Sequence, residues 1–76
     1  MEISIFLYQF SEILDETDPS LIFPNTVFRD LEEWNSLTAL SLIAMVDDQY
    51  SLKLTGDDIK KSVTIQEIFN IINNKE

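Results

Sequence analysis

Cysteine and histidine are both absent from this 76-residue chain. Without cysteine, neither a disulfide framework nor a thiolate metal site can staple the fold. Without histidine, the usual general base, proton shuttle and imidazole ligand are missing too. What remains is poor material for a self-sufficient hydrolase or transferase, so the chain reads as a non-enzyme. Bases are scarce: five Lys and Arg against fourteen Asp and Glu leave a formal charge of −9. A field of that sign repels phosphate backbones and anionic membranes and attracts basic protein surfaces. No apolar run approaches the roughly 20 residues that span a bilayer. The opening MEISIFLYQF has an acid at its second position where a signal peptide has a basic leader. These absences predict a monomeric cytoplasmic domain whose partners are basic proteins, with no nucleic acid and no membrane among them.

What is present is apolar enough to fold. Hydrophobic residues make up 45% of the chain, too many for an acidic disordered tail. The length allows one domain, 1–76, and a domain this small buries only about 60% of its unfolded surface. Ile3, Phe6, Leu7, Phe10, Ile13 and Leu14 recur at steps of three and four, which predicts a helix over about 2–15. Residues 16–35 hold both prolines and no sustained period. So long a connection carries function or packs down. Its Leu21, Ile22, Phe23, Val27, Phe28, Leu31 and Trp34 predict an ordered loop packed onto the helices, with a helical turn near 20–23 or 28–32. Asn35 is a good N-cap for a second helix over about 36–50. GDDIKKS, acids first and lysines last, predicts a short turn at about 56–61. Thr64 and Glu67 form a capping-box pattern ahead of a last helix over about 65–73, with Ile65, Ile68, Phe69 and Ile72 as its buried stripe. The sum is an all-α protein: a small antiparallel bundle of three main helices plus a short third turn. The paired carboxylates in VDD and GDD match no calcium-loop spacing, and no metal site is expected.

The stretch WNSLTALSLIAMVDDQY, residues 34–50, is unusual. At 100° per residue, Ala39, Leu42, Ile43, Val46 and Tyr50 share one face, an ordinary core stripe. Leu37, Leu40 and Met45 lie away from it, among Ser41, Ala44, Asp47 and Asp48. Either the long loop covers some of them, or they form an apolar, acid-rimmed patch that a partner reads. Ser36 stands where loop meets helix, and helix-terminal amides there favour an anion such as a phosphodiester. Read alone, Ser36 is an ordinary first-turn serine, among the commonest uses of serine in a helix.

The same stretch resembles the second-helix entry of acyl carrier proteins, small acidic helical bundles that hold 4′-phosphopantetheine on a serine. The family's Asp-Ser-Leu motif, frequently preceded by tryptophan, is matched by Asn35, Ser36 and Leu37 after Trp34. Upstream, Phe28, Asp30 and Leu31 resemble the Phe and Asp-Leu before the motif. Downstream, Tyr50 takes the place of an aromatic that closes the helix, and KSVTIQEIFNII resembles the entry to the last helix. The resemblance implies an arm derived from coenzyme A, joined to Ser36 by a phosphopantetheinyl transferase and carrying acyl thioesters on its own thiol. It also implies that Leu37, Leu40, Ser41, Ala44, Met45, Asp47 and Asp48 face partner enzymes, namely the transferase and acyl ligases or synthases with basic docking surfaces. Attached chains would shelter between the helices. Three departures stand out. Asn35 replaces the motif's aspartate, Thr38 and Ser41 stand where many fatty-acid carriers have acids, and Glu32 follows Asp30-Leu31 where glycine is common. They point away from the housekeeping fatty-acid carrier to a specialised one, for a fatty-acid or polyketide-like secondary product or a cell-envelope modification. An aminoacyl or peptidyl carrier and an unmodified carrier-like interaction module are the alternatives.

Overall fold

The apolar stripes close on one another around Phe6. In the computed structural model, which describes residues 2–76, α1 runs Ile3–Glu12, α2 Ser36–Tyr50, α3 Gly56–Lys61 and α4 Ile65–Lys75. Phe6 and Phe10 are fully buried, their rings edge-on at 6.2 Å. Phe6 also meets Phe69 of α4 at 5.6 Å and Tyr50 of α2 at 6.3 Å, so one ring joins three helices. Ile65, Ile68, Phe69 and Ile72 fill the inner face of α4 as their spacing requires. The third segment is a helix of its own, so the bundle has four, with α3 only six residues long. No helix among the described residues is long and apolar enough to cross a membrane.

Two helix limits differ from expectation for identifiable reasons. α1 stops at Glu12, short of residue 15. Ile13 and Leu14 make tight bonds back to Phe10 and Ser11, and the next amides, Asp15 and Glu16, donate to the Glu33 carboxylate rather than to helix carbonyls. A competing acceptor ends the helix. α4 runs to Lys75, two residues past its expected end, and Lys75 reaches the Asp58 carboxylate at 3.2 Å.

The loop between α1 and α2 is ordered by two 3₁₀ turns, Pro19–Leu21 and Phe28–Asp30. Ile22 and Phe28 are buried, and Leu31 and Trp34 pack against the core. Leu21, Phe23 and Val27 stay exposed, against the expectation that the loop's apolar residues all pack down. Ile65 N donates to Thr26 O at 3.2 Å, Gln66 N donates to Pro24 O at 2.9 Å, and Val27 bridges Thr64. Pro24 and Asn25 form a turn closed by Thr26 N donating to Phe23 O at 3.0 Å, so the loop meets α4 through backbone bonds at this point.

Candidate functional site

The junction of loop and α2 is built by four consecutive residues. Trp34 stacks on Phe10 with ring centroids 6.1 Å apart and meets Phe28 edge-on at 4.7 Å, which pins the chain just before the helix. Glu33, one residue earlier, grips the exit of α1. Its carboxylate accepts from Asp15 N at 2.8 Å, Glu16 N at 2.7 Å and the Thr17 hydroxyl at 2.6 Å. The Thr17 hydroxyl, with the amides of Glu16 and Asp15, bonds the charged form and holds this carboxyl below the usual glutamate range.

Asn35 has extended backbone, and its Oδ1 accepts from Leu37 N at 2.9 Å and Thr38 N at 3.1 Å. Two of the helix's free amides are thereby satisfied. Thr38 turns inward, is buried, and donates its hydroxyl to Glu33 O at 2.6 Å. It fastens the junction and takes no part in the outer surface. Since Asn35 does the capping, the neighbouring Ser36 is left at the first helical position with its side chain exposed. A serine hydroxyl with no histidine anywhere in the chain has no built-in base to activate it.

Beyond Ser36, α2 presents an outward ridge. Leu37 is 73% exposed and Leu40 61%, so the loop does not cover them. Ser41, Ala44, Asp47 and Asp48 are exposed on the same ridge. Met45 is set apart from these: it is half-buried and faces α1. A groove of about 170 Å³ flanks the ridge on the side of the α2–α3 connection, lined by Leu40, Ile43, Ala44, Asp47, Lys53 and Leu54. Residues 36, 40, 43 and 47 fall in one row along α2, so Ser36 stands at the head of this groove. A second groove lies between α1 and α2.

Glu33 and the inward turn of Thr38 are what sequence reasoning missed at this junction. The partners of the Glu33 carboxylate lie 16 to 18 residues away in the chain, and no local spacing announces them. Asn35 and Trp34 were legible because a cap and an aromatic anchor act on their immediate neighbours.

Comparison with known proteins places this geometry. Residues 9–72, from within α1 to within α4, match the model of the family described as the phosphopantetheine attachment site. An acyl carrier protein of Thermosynechococcus vestitus (strain NIES-2133 / IAM M-273 / BP-1) is 26% identical over 58 residues, covering 76% of this chain and 72% of that protein. No solved structure matches the chain significantly. The two matches imply a covalently attached 4′-phosphopantetheine, held by a carrier protein of a kind that is generally not catalytic. An acidic four-helix bundle whose second helix opens on an uncommitted serine, and whose family match runs from α1 to α4, belongs to the phosphopantetheine-attachment-site family of carrier proteins.

Proposed function

We propose that this chain is an acyl carrier protein with its 4′-phosphopantetheine arm on Ser36, serving a specialised fatty-acid or polyketide-like pathway. The observation that carries the reading is the release of Ser36 from capping by Asn35, at the head of an apolar groove. The residues present fit the group. The hydroxyl is exposed, the N-terminus of a 15-residue helix tolerates a phosphodiester, and the groove beside it is wide enough for part of an apolar chain. The arm's own thiol supplies the acyl chemistry, which is why a chain without cysteine can carry thioesters.

The protein's part is binding and presentation. Asn35, Thr38 and Trp34 hold the attachment point in place. Leu37, Leu40 and Ala44, with Asp47 and Asp48, form an apolar strip with acids at its far end, the complement of a basic docking surface. Charge of this sign speeds encounter with a basic partner, while a small contact area lets the carrier leave again. The arm is joined by a separate transferase, which takes the Ser36 proton as coenzyme A gives up its phosphopantetheine group to the serine oxygen and releases its nucleotide portion.

Intact-protein mass spectrometry tests the reading. After incubation with coenzyme A and a broad-specificity phosphopantetheinyl transferase, wild type is expected to gain one phosphopantetheine mass and Ser36→Ala none. Gain by the alanine variant would move the attachment elsewhere. Failure of wild type to load, even with a transferase from its own host, would leave a carrier fold serving only as an interaction module.

A further inference from the structure

The second groove, between α1 and α2, lies on the opposite side of α2 from the one below Ser36: Met45 and Gln49 line it, whereas Ile43 and Asp47 line the other. It measures about 290 Å³. Ile5 and Tyr8, 56% and 65% exposed, stand on one wall, with Ile13 and Met45 half-buried below them. The core does not need this wall, because α1 already buries Phe6 and Phe10 on its inner face. The floor is tied across. Gln9 Nε2 donates to Gln49 Oε1 at 3.5 Å, and the Tyr50 hydroxyl donates to Gln9 Oε1. The groove is therefore a built surface between two joined helices and not a frayed gap.

Its charge selects an occupant. Residues 2–28 and 30–52, which include all of α1 and α2, contain no Lys or Arg and ten Asp and Glu. Arg29, between these stretches, is spent on the carbonyls of Ile59, Lys60 and Ser62. The other four cations, Lys53, Lys60, Lys61 and Lys75, follow α2. Glu12 lies in the groove itself, and Asp48 is exposed beside Gln49. A groove with apolar walls that contains Glu12 and lies beside Asp48 fits an apolar stripe flanked by cations. A second copy of this chain would bring two cation-free faces together, which self-repulsion opposes. From Ile5 to Ile13 the wall is about 12 Å long at 1.5 Å per residue, or two turns of a facing helix.

We propose that the α1–α2 groove is a second docking surface, which takes a basic amphipathic helix of a partner protein. Its apolar stripe packs on Ile5, Tyr8, Ile13 and Met45, and its Lys or Arg side chains face Glu12 and Asp48. A partner held there leaves Ser36, Leu37 and Leu40 uncovered and shares only Asp48 with the outward ridge of α2. The inference stands on the groove and its charge and does not depend on what Ser36 carries.

An NMR titration of the full unmodified chain, labelled with ¹⁵N, tests it. One probe is a synthetic amphipathic helix of leucine and lysine, and the other is a scrambled peptide of the same composition. The amphipathic peptide is expected to shift amides in residues 5–13 and at Met45 and Gln49, and the scrambled one to bind much more weakly. The double substitution Ile5→Ser, Tyr8→Ser is expected to weaken binding about tenfold or more, while Leu37→Ser with Leu40→Ser changes it less than about twofold. Glu12→Lys, at an exposed position, supplies an independent variant expected to weaken binding without touching the apolar wall. Equal binding of both peptides would overturn the proposal. So would shifts centred on residues 37–44, or a loss that follows the Leu37 and Leu40 substitutions instead.

Discussion

Asn35 and Ser36 divide the start of α2 between them, one holding the helix and the other left available. Asn35→Ala removes the acceptor of two helix amides and is expected to cost about 1 kcal/mol, read as a lower urea midpoint. Asn35→Asp keeps the acceptor and adds a negative charge at the positive end of the helix, so its midpoint should equal or exceed wild type. Glu33 makes the junction sensitive to acid. Its folded carboxyl titrates below the ordinary glutamate value of 4.5, since Thr17 and the Glu16 and Asp15 amides bond the charged form. A depressed folded value means the clamp's contribution is full above the ordinary range and is lost as pH falls through the folded one. Glu33→Gln should therefore be less stable than wild type at about pH 7, with the gap closing toward about pH 3, as urea midpoints across that range would show. The Asn35 cap was legible beforehand and the Glu33 clamp was not. A cap speaks to residues two and three places on, but a clamp across 16 residues of loop leaves no period or spacing to read.

α3 shows what an element needs when it is too short to stand alone. Six residues are well below the roughly 12–15 at which an isolated helix becomes even marginal, so tertiary contacts must supply the difference. At its start, Asp58 N donates to the Thr55 hydroxyl at 3.1 Å and Thr55 N donates to the Asp58 carboxylate at 3.0 Å. At its end, Arg29 gives Nη1 to Ser62 O at 2.5 Å and Nη2 to Ile59 O at 2.6 Å, the latter in addition to the bond Ile59 O accepts from Ser62 N. Arg29→Ala is expected to cost about 1–2 kcal/mol. It should speed amide hydrogen exchange in Ile59 and Ser62 more than in the amides of α4, which hydrogen-exchange NMR would resolve. The acids-first, lysines-last order of this segment announced a helical turn, and the Thr64 and Glu67 box announced α4. The equivalent box at Thr55 passed unnoticed because aspartate stands where glutamate or glutamine is usual. The arginine that completes α3 is some thirty residues upstream, in a different element.

For the whole molecule, fourteen acids and five bases in so small a body mean self-repulsion in the folded state. Added salt screens it, and raising sodium chloride from low concentration to about 0.5 M should raise the melting temperature by about 4–8 °C for each kcal/mol relieved. A fall in melting temperature over that range would mean that the paired carboxylates, among them Asp58 with Lys75, outweigh the repulsion. The bundle and its helix order were legible because apolar periodicity is local and repeated. The docking of Pro24 and Thr26 on the first turn of α4 was not, because it rests on backbone bonds between segments about forty residues apart. Trp34, the chain's one tryptophan, lies against a ring of α1 and a ring of the loop, two residues ahead of Ser36. The protein thus contains its own fluorescent gauge. Withdrawal of α1, loosening of the loop and events at the serine all reach the same indole, so its emission can follow them without an added label.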